Sequence, residues 1–420
     1  MKKLAIAFLT LLISFCLIVG VSVFIKTGKS ELTGERQSAA PEITYEVADN
    51  NNEMRAVWIS FTELSMKGAD DKSEKAFSDK IDNMFLNISE NHFNTVFLHV
   101  RPNSDAFYYS EIFPHTSYLM GEQGKDPGYD ALKIACDSAK KHGIEIHAWI
   151  NPFRVSGDTD LTVLSEANPA VGIINDEIKE NDSWVWQLDN GIFYNPTVPE
   201  IHSMVIDGIR EIIKNYDVAG IHIDDYFYPS GDTDADSGQY SVYLAKGGKL
   251  PLDEWRRACV NSFVSAAYSA IKAVDSNLVF SISPSADIDR NHGVYYADVK
   301  SWCSAEGYCD IIIPQVYFGF ENDSFPFADT VEKWCEMATC QHVKVIYGLA
   351  AYKIGLSDKN AGSGADEWLD GGDIISNQVR NVRQLKRYDG FSLFSYSYAW
   401  GDNVSDAAAA EMEALRKIIE

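Results

Sequence analysis

The chain has 420 residues, 46% of them apolar and 12% aromatic, which is enough for one large core with additions. Its 61 acidic residues outnumber 36 basic ones, and the net charge of -25 argues against nucleic acid, whose phosphates would be repelled. The balance fits a soluble, outward-facing protein with neutral or weakly charged ligands.

Residues 4–25 are an apolar run flanked by Lys2-Lys3 and Lys26. A run of this length spans a bilayer, and the paired lysines stay inside and send the rest out. A signal anchor is the expectation for residues 1–26, with a cleaved signal peptide as the rival; no clear A-x-A site follows. Cys16 has Phe15 before it, where lipid attachment requires a small residue. Residues 27–52 are polar and read as a flexible linker, leaving 53–420 as the folded domain. The expected location is the outer face of the cytoplasmic membrane or the cell envelope, anchored or secreted. Export permits disulfides, and Cys303/Cys309 and Cys335/Cys340 are close enough in sequence for local ones. Cys136 and Cys259 fall in helical patterns as buried thiols, and no zinc-type spacing is present.

From residue 53 the chain alternates short apolar strands with amphipathic helices. Strands are expected at 55–61, 95–100, 144–150, 220–223, 279–283, 310–314, 343–348 and 391–394. Between the first two, Phe77, Ile81, Met84, Phe85 and Ile88 share one helical face. Ile201, Met204, Val205, Ile209, Ile212 and Ile213 do so before the fourth strand. Ile374, Ile375, Val379, Val382 and Leu385 do so before the last, and 407–419 forms a closing helix. Eight strands alternating with helices predict an α/β fold, a (β/α)8 TIM barrel with a long insertion after strand three. A doubly wound open sheet competes, but no Gly-rich phosphate turn supports it.

Barrel chemistry collects at the carboxyl ends of the strands. Polar groups stand there: Glu63, Arg101 with Asn103, Asn151 with Arg154, Asp224 with Asp225, Asp287, Gln315 with Tyr317, Tyr352 and Tyr396. The fourth strand runs Gly220-Ile221-His222-Ile223 and ends in Asp224-Asp225-Tyr226-Phe227-Tyr228-Pro229. Alternation points His222 and Asp224 to one side, and Asp225 follows where the chain bends. Two carboxylates held close cannot both ionise cheaply, so one becomes an acid near neutral pH. The aromatics after them offer faces on which sugar rings stack. The excursion 152–199 adds Trp184, Trp186, Phe193 and Tyr194 as an expected aromatic wall beside the site. His99, His147 and His222 share the parity of Arg101, Asn151 and Asp224, and read as interior hydrogen-bonding histidines. Asp232 to Gly238 begins like a calcium loop, but Ser237 replaces its glycine and Tyr243 its bidentate glutamate, so a solvated acidic loop is expected. No metal or cofactor is implied.

The stretches Arg55-Ala56-Val57-Trp58, Phe97-Leu98-His99-Val100-Arg101-Pro102, His147-Ala148-Trp149-Ile150-Asn151-Pro152 and Ile223-Asp224-Asp225-Tyr226-Phe227-Tyr228-Pro229 resemble the glycosyl-hydrolase-like 10 family. Ser281-Ile282-Ser283-Pro284 and Pro314-Gln315-Val316-Tyr317 continue the match. The resemblance implies an exported (β/α)8 barrel and, as substrate class, peptidoglycan glycan strands stripped of their peptides. Such sugars carry a 2-acetamido group, and adjacent acids after strand four resemble those of hexosaminidases that use it as internal nucleophile. Asp224 then orients the acetamido and Asp225 protonates the leaving oxygen, or the reverse, with Tyr317 bonded to the acetamido carbonyl. Arg101, Asn103, Asn151, Arg154, His222, Tyr226, Gln315, Trp184, Trp186 and Tyr396 are the expected sugar contacts. In the rival retaining scheme Asp224 attacks the anomeric carbon and Asp287, Glu321 or Glu63 supplies the proton. A non-catalytic envelope glycan-binding protein and a metal-dependent deacetylase complete the alternatives.

Overall fold

The computed structural model describes residues 53–225, 227–229, 234–369, 372–402 and 404–420. The signal anchor or signal peptide, the linker, Cys16 and Tyr226 lie outside these. Among the described residues no helix is long and apolar enough to cross a membrane.

Among the described residues there are eleven strands: β1 Met54–Ile59, β2 Thr95–Arg101, β3 Glu145–Ile150, β4 Arg154–Ser156, β5 Val185–Leu188, β6 Gly191–Tyr194, β7 Gly220–Ile223, β8 Val279–Ile282, β9 Ile311–Ile312, β10 Lys344–Ala350 and β11 Gly390–Phe394. Eight of them, in the order β1-β2-β3-β7-β8-β9-β10-β11, close into a parallel barrel. All eight expected strands are there, so the barrel replaces the open-sheet alternative. These strands are buried on both faces, which is why they read as continuous apolar runs. All seven residues of β2 are buried. Ala56, Trp58, Phe97, Trp149, Ile311, Ile313 and Ile346 pack together inside the barrel. Val57, Ile59, Val96, Leu98 and Val100, of opposite parity, join the larger core.

The helix Glu74–Glu90 buries Phe77, Ile81, Met84, Phe85 and Ile88, as its periodicity predicts. Ser73 caps its first turn by accepting from the Ala76 N–H. The helix before β11 is shorter than its pattern, Ile374–Val382, and Leu385 packs from the turn beyond it. β1 is also shorter than expected, because Ser60 and Glu63 form a capping box that starts the helix Phe61–Leu64.

Barrel closure brings the two ends of the domain together. Gly390 has φ 154°, and a Cβ there would lie 2.1 Å from the Met54 carbonyl oxygen, so only glycine lets β11 meet β1. Arg383 grips Glu53 with two bonds of 2.8 Å, and Arg55 Nη1 donates to the Ile419 carbonyl at 2.6 Å.

The excursion after β3 folds into an antiparallel sheet of order β4-β6-β5. The disulfide expectation is corrected: Cys303, Cys309, Cys335 and Cys340 are all free, and Cys309 Sγ donates to the Trp302 carbonyl. The solvated acidic loop is also corrected at Asp236. That carboxylate is buried and takes two bonds from Arg256, at 2.6 and 2.7 Å, plus one from the Tyr228 hydroxyl. This pairing anchors the chain just beyond Asp224-Asp225.

Candidate active site

β7 lies between β3 and β8, so His222 stands level with Trp149 and Ser281. His222 is fully buried. Its Nε2 accepts from Trp58 Nε1 at 3.0 Å, and the Ser283 hydroxyl lies 3.1 Å from the same nitrogen. An indole N–H only donates, so the proton sits on Nδ1, which donates to Ser281 Oγ at 2.9 Å. Burial, then the neighbouring His147 and His99, hold the ring far below its ordinary pKa and neutral. Burial lowers His147 to about 4 as well. Both are interior hydrogen-bonding histidines. His222 holds the Trp58 indole from within the barrel and is not among the residues that line the cavity.

Two residues beyond His222, past the end of β7, Asp224 and its neighbour Asp225 line a cavity of about 310 Å³ at the carboxyl ends of the barrel strands. Trp58, Trp149 and Phe394 contribute aromatic surface, and Asn151, Arg154, Ser283, Gln315 and Tyr317 contribute polar groups. Ser60, Phe61, Thr62, His99, Ser395, Ser397 and Tyr398 complete the lining. Tyr317 is braced edge-on by Tyr352, with ring centroids 5.7 Å apart.

Asp224 is only 4% exposed. Asp225 keeps some surface open to the cavity, yet atoms enclose its carboxyl. Burial pushes that carboxyl up to about 6, against weaker opposing effects of its own backbone, a Gln315 hydrogen bond and the Arg290 charge. Gln315 is held in turn, its Nε2 donating to the Ser283 carbonyl at 2.9 Å. The site therefore raises a carboxylic acid toward neutrality, so that about one-tenth of it still holds a proton at pH 7, available to a leaving oxygen.

Several buried polar atoms of the lining residues have no partner among the described residues. Asn151 Nδ2 donates to the Pro102 carbonyl, while Oδ1 is unpaired. Trp149 Nε1 is unpaired too, and its ring stacks on His99 at 3.5 Å with a 10° tilt. Neither His99 nitrogen finds a partner in good hydrogen-bond geometry, although Asn151 is near enough to favour its charged form slightly. Burial and the Arg154 charge outweigh this and keep His99 neutral.

Asp224, Asp225, Tyr317, Asn151, Arg154 and Gln315 thus converge on the cavity; Arg101, Asn103, His222, Trp184, Trp186 and Tyr396 do not line it. Arg101 is 1% exposed, lies over the Phe113 ring and donates to the Asn103 and Pro152 carbonyls, so it fastens two loops. Asn103 lines a separate groove. Trp186 packs on Tyr228 at 5.9 Å, and Trp184 is half-buried against the core. The expected aromatic wall is a packing layer under the inserted sheet. Tyr396 is buried and accepts from Asn87 Nδ2. Of the alternative acids, Asp287 caps the helix Ile288–Gly293 and Glu321 is exposed away from the cavity. Glu63 accepts from the Ser60 N–H, Ser395 Oγ and the Ser397 N–H at 2.5–2.9 Å, which ties the β11 end to the β1 end.

Trp58, Trp149, Phe394 and Tyr398 were not among the expected contacts. Trp149 shares the parity of His147 and Asn151, so alternation along β3 was a usable signal. Tyr398 sits on the helix Tyr396–Trp400, and nothing in its local pattern marks it as lining the site.

A model of the family described as glycosyl hydrolase-like 10 matches residues 53–366. Glycosyl hydrolase YngK of Bacillus subtilis (strain 168) is 33% identical over 372 residues, covering 83% of this chain and 69% of that protein. Glycosyl hydrolase DigH of Escherichia coli O6:H1 is 26% identical over 345 residues, covering 77% of this chain and 76% of that one. Among solved structures, the catalytic domain of beta-amylase from Paenibacillus polymyxa aligns with a TM-score of 0.55 at 10% identity, over 89% of this chain and 100% of that one. That last likeness is one of fold.

Proposed function

The chain belongs to the glycosyl hydrolase-like 10 family and is a glycoside hydrolase, and from that premise we propose that Asp224 and Asp225 cleave an N-acetylated glycan, peptide-free peptidoglycan strands. The observation that carries this reading is the pair itself: two adjacent carboxyl groups in one cavity, of which burial raises Asp225 toward neutrality. Asp225 gives its proton to the glycosidic oxygen as the bond from that oxygen to the anomeric carbon breaks. The acetamido carbonyl oxygen bonds to the same carbon, Asp224 accepts from the acetamido N–H, and Tyr317 orients the group. Water then attacks the anomeric carbon as the bond from that carbon to the acetamido oxygen breaks, and the Asp225 carboxylate takes a proton from the attacking water.

A cavity that mixes indole and phenyl faces with neutral hydrogen-bonding groups suits a pyranose ring with an N-acetyl substituent. Arg154, a cation on the cavity wall, suits the lactyl carboxylate that distinguishes peptidoglycan sugars. In the retaining alternative Asp224 is the nucleophile, and Asp225 again is the acid, since Asp287, Glu321 and Glu63 stand outside the cavity. This reading goes with a location on the outer face of the cytoplasmic membrane or in the cell envelope, anchored or secreted through residues 1–26.

The test is incubation of residues 53–420 with peptide-free glycan strands, read by mass spectrometry, beside Asp224→Asn and Asp225→Asn. New reducing ends are expected from the wild type alone. Equal cleavage by either variant removes that residue from catalysis, and intact strands throughout remove the substrate.

A further inference from the structure

A second depression, of about 880 Å³, lies between the chain after β2 and the chain after β4. Its lining is polar: Lys67, Asn103, Asp105, Ser117 and Asp158 around the ring of Tyr118. Three links connect it to the catalytic cavity. His99 faces the cavity, and Asn103 and Asp105, on the chain that leaves β2, face the groove. Arg154 lines the cavity while Ser156, on the same strand, lines the groove, and the Arg154 guanidinium lies 2.9 Å from where a Gly157 Cβ would be. Phe61 of the cavity packs against Tyr118 of the groove, with ring centroids 4.7 Å apart and planes tilted by 58°. A thin partition of Phe61, Tyr118 and Arg154 separates the two spaces.

Asp105 marks the groove as more than a surface hollow. It is 2% exposed, and one carboxylate oxygen accepts from Gln123 Nε2 at 3.0 Å. Among the described residues the other oxygen finds no partner in good hydrogen-bond geometry, although the Thr116 hydroxyl and the Ser117 N–H are near enough to favour its charged form. Burial raises this carboxyl to about 6, against the lowering effects of Gln123, Thr116 and Arg101. A buried acid without a well-aligned donor on one oxygen, beneath a lining of amide and hydroxyl groups, makes the groove a polar surface suited to hydroxyl-rich ligands. Among the described residues no three His, Cys, Asp or Glu side chains gather closely enough to hold a metal ion, so the chemistry favours a polyhydroxylated ligand over a cation.

We propose that this groove binds further sugar residues of the same glycan chain whose scissile bond lies in the catalytic cavity, so that the enzyme cuts within chains. The inference rests on the glycan reading of the main cavity. It assigns to Lys67, Asn103, Asp105 and Asp158 the holding of neighbouring sugars, with the Tyr118 ring under a sugar face.

Its test measures binding by calorimetry, using full-length Asp225→Asn protein and length-sorted peptide-free peptidoglycan strands of two and eight sugars. The longer strand is expected to bind about tenfold more tightly than the shorter. Thr159, an exposed groove residue whose backbone carbonyl but not side chain is hydrogen-bonded to Gln187, is the place to block the space. Thr159→Trp should abolish the length advantage and leave two-sugar binding unchanged. Asp105→Asn, which keeps the side-chain shape, should reduce the advantage in the same direction. Equal affinity for both lengths, a length advantage that survives Thr159→Trp, or equal weakening at both lengths overturns the groove. Failure of the glycan reading looks different: neither length binds, and the wild type releases no reducing ends from either, which overturns both proposals together.

Discussion

Replacing Asp225 with asparagine removes the carboxyl that burial pushes up to about 6. With that value about nine-tenths of wild-type molecules hold the proton at pH 5, about one-tenth at pH 7 and about one-hundredth at pH 8. The wild-type kcat/KM is therefore expected to fall about tenfold per pH unit above about pH 6. Asparagine has no proton to give, so kcat should drop by about 10²–10⁴, and the residual activity should lose this alkaline fall. Stability supplies an independent reading. Between about pH 4 and pH 6 the folded chain keeps a proton that the unfolded chain has released. The corresponding stability is fully present below pH 4 and is lost as pH rises through 6, a change of about 3 kcal/mol. Asparagine does not titrate, so the variant should gain on the wild type by up to that amount between pH 4 and pH 8. The assays are kcat/KM on peptide-free glycan strands from pH 4.5 to 8.5 and urea unfolding of both proteins at pH 4, 6 and 8. A wild-type profile flat from pH 5 to 8, or a stability difference that does not change with pH, refutes the reasoning.

Two further substitutions test the supports of the site. Trp58→Phe keeps a ring in the floor but removes the indole donor to His222 and leaves a small void, so about 1–3 kcal/mol of stability should be lost by urea unfolding, with a raised KM; unchanged stability and KM would mean that the indole does not brace the site. Arg256→Met strands the buried Asp236 carboxylate and should cost about 3–5 kcal/mol, whereas Arg256→Met with Asp236→Leu should recover much of it. Thermal and urea midpoints decide this, and a single variant as stable as the wild type would contradict the pairing.

The eight barrel strands and the position of the acidic pair were legible in the chain itself, because both are local properties. A strand buried on two faces has to be a short apolar run, and adjacent carboxyl groups at its end are adjacent whatever surrounds them. The cavity was only partly legible. Asn151, Arg154, Gln315 and Tyr317 could be named as strand-end polar groups, but so could Arg101 and Tyr396, which the fold commits to loop carbonyls and to Asn87. Trp184 and Trp186 look like a sugar platform in the sequence and serve as packing in the structure, while Trp58 and Trp149, which pass for core residues, form the floor. Alternation along one strand gives the side on which a residue points. Its depth, and its neighbours around the ring, depend on how eight strands are staggered and tilted against one another. The raised pKa of Asp225 belongs to the same level: Gln315, Arg290 and the atoms that exclude water from its carboxyl come from segments far away in the chain, and only closing the barrel brings them to it.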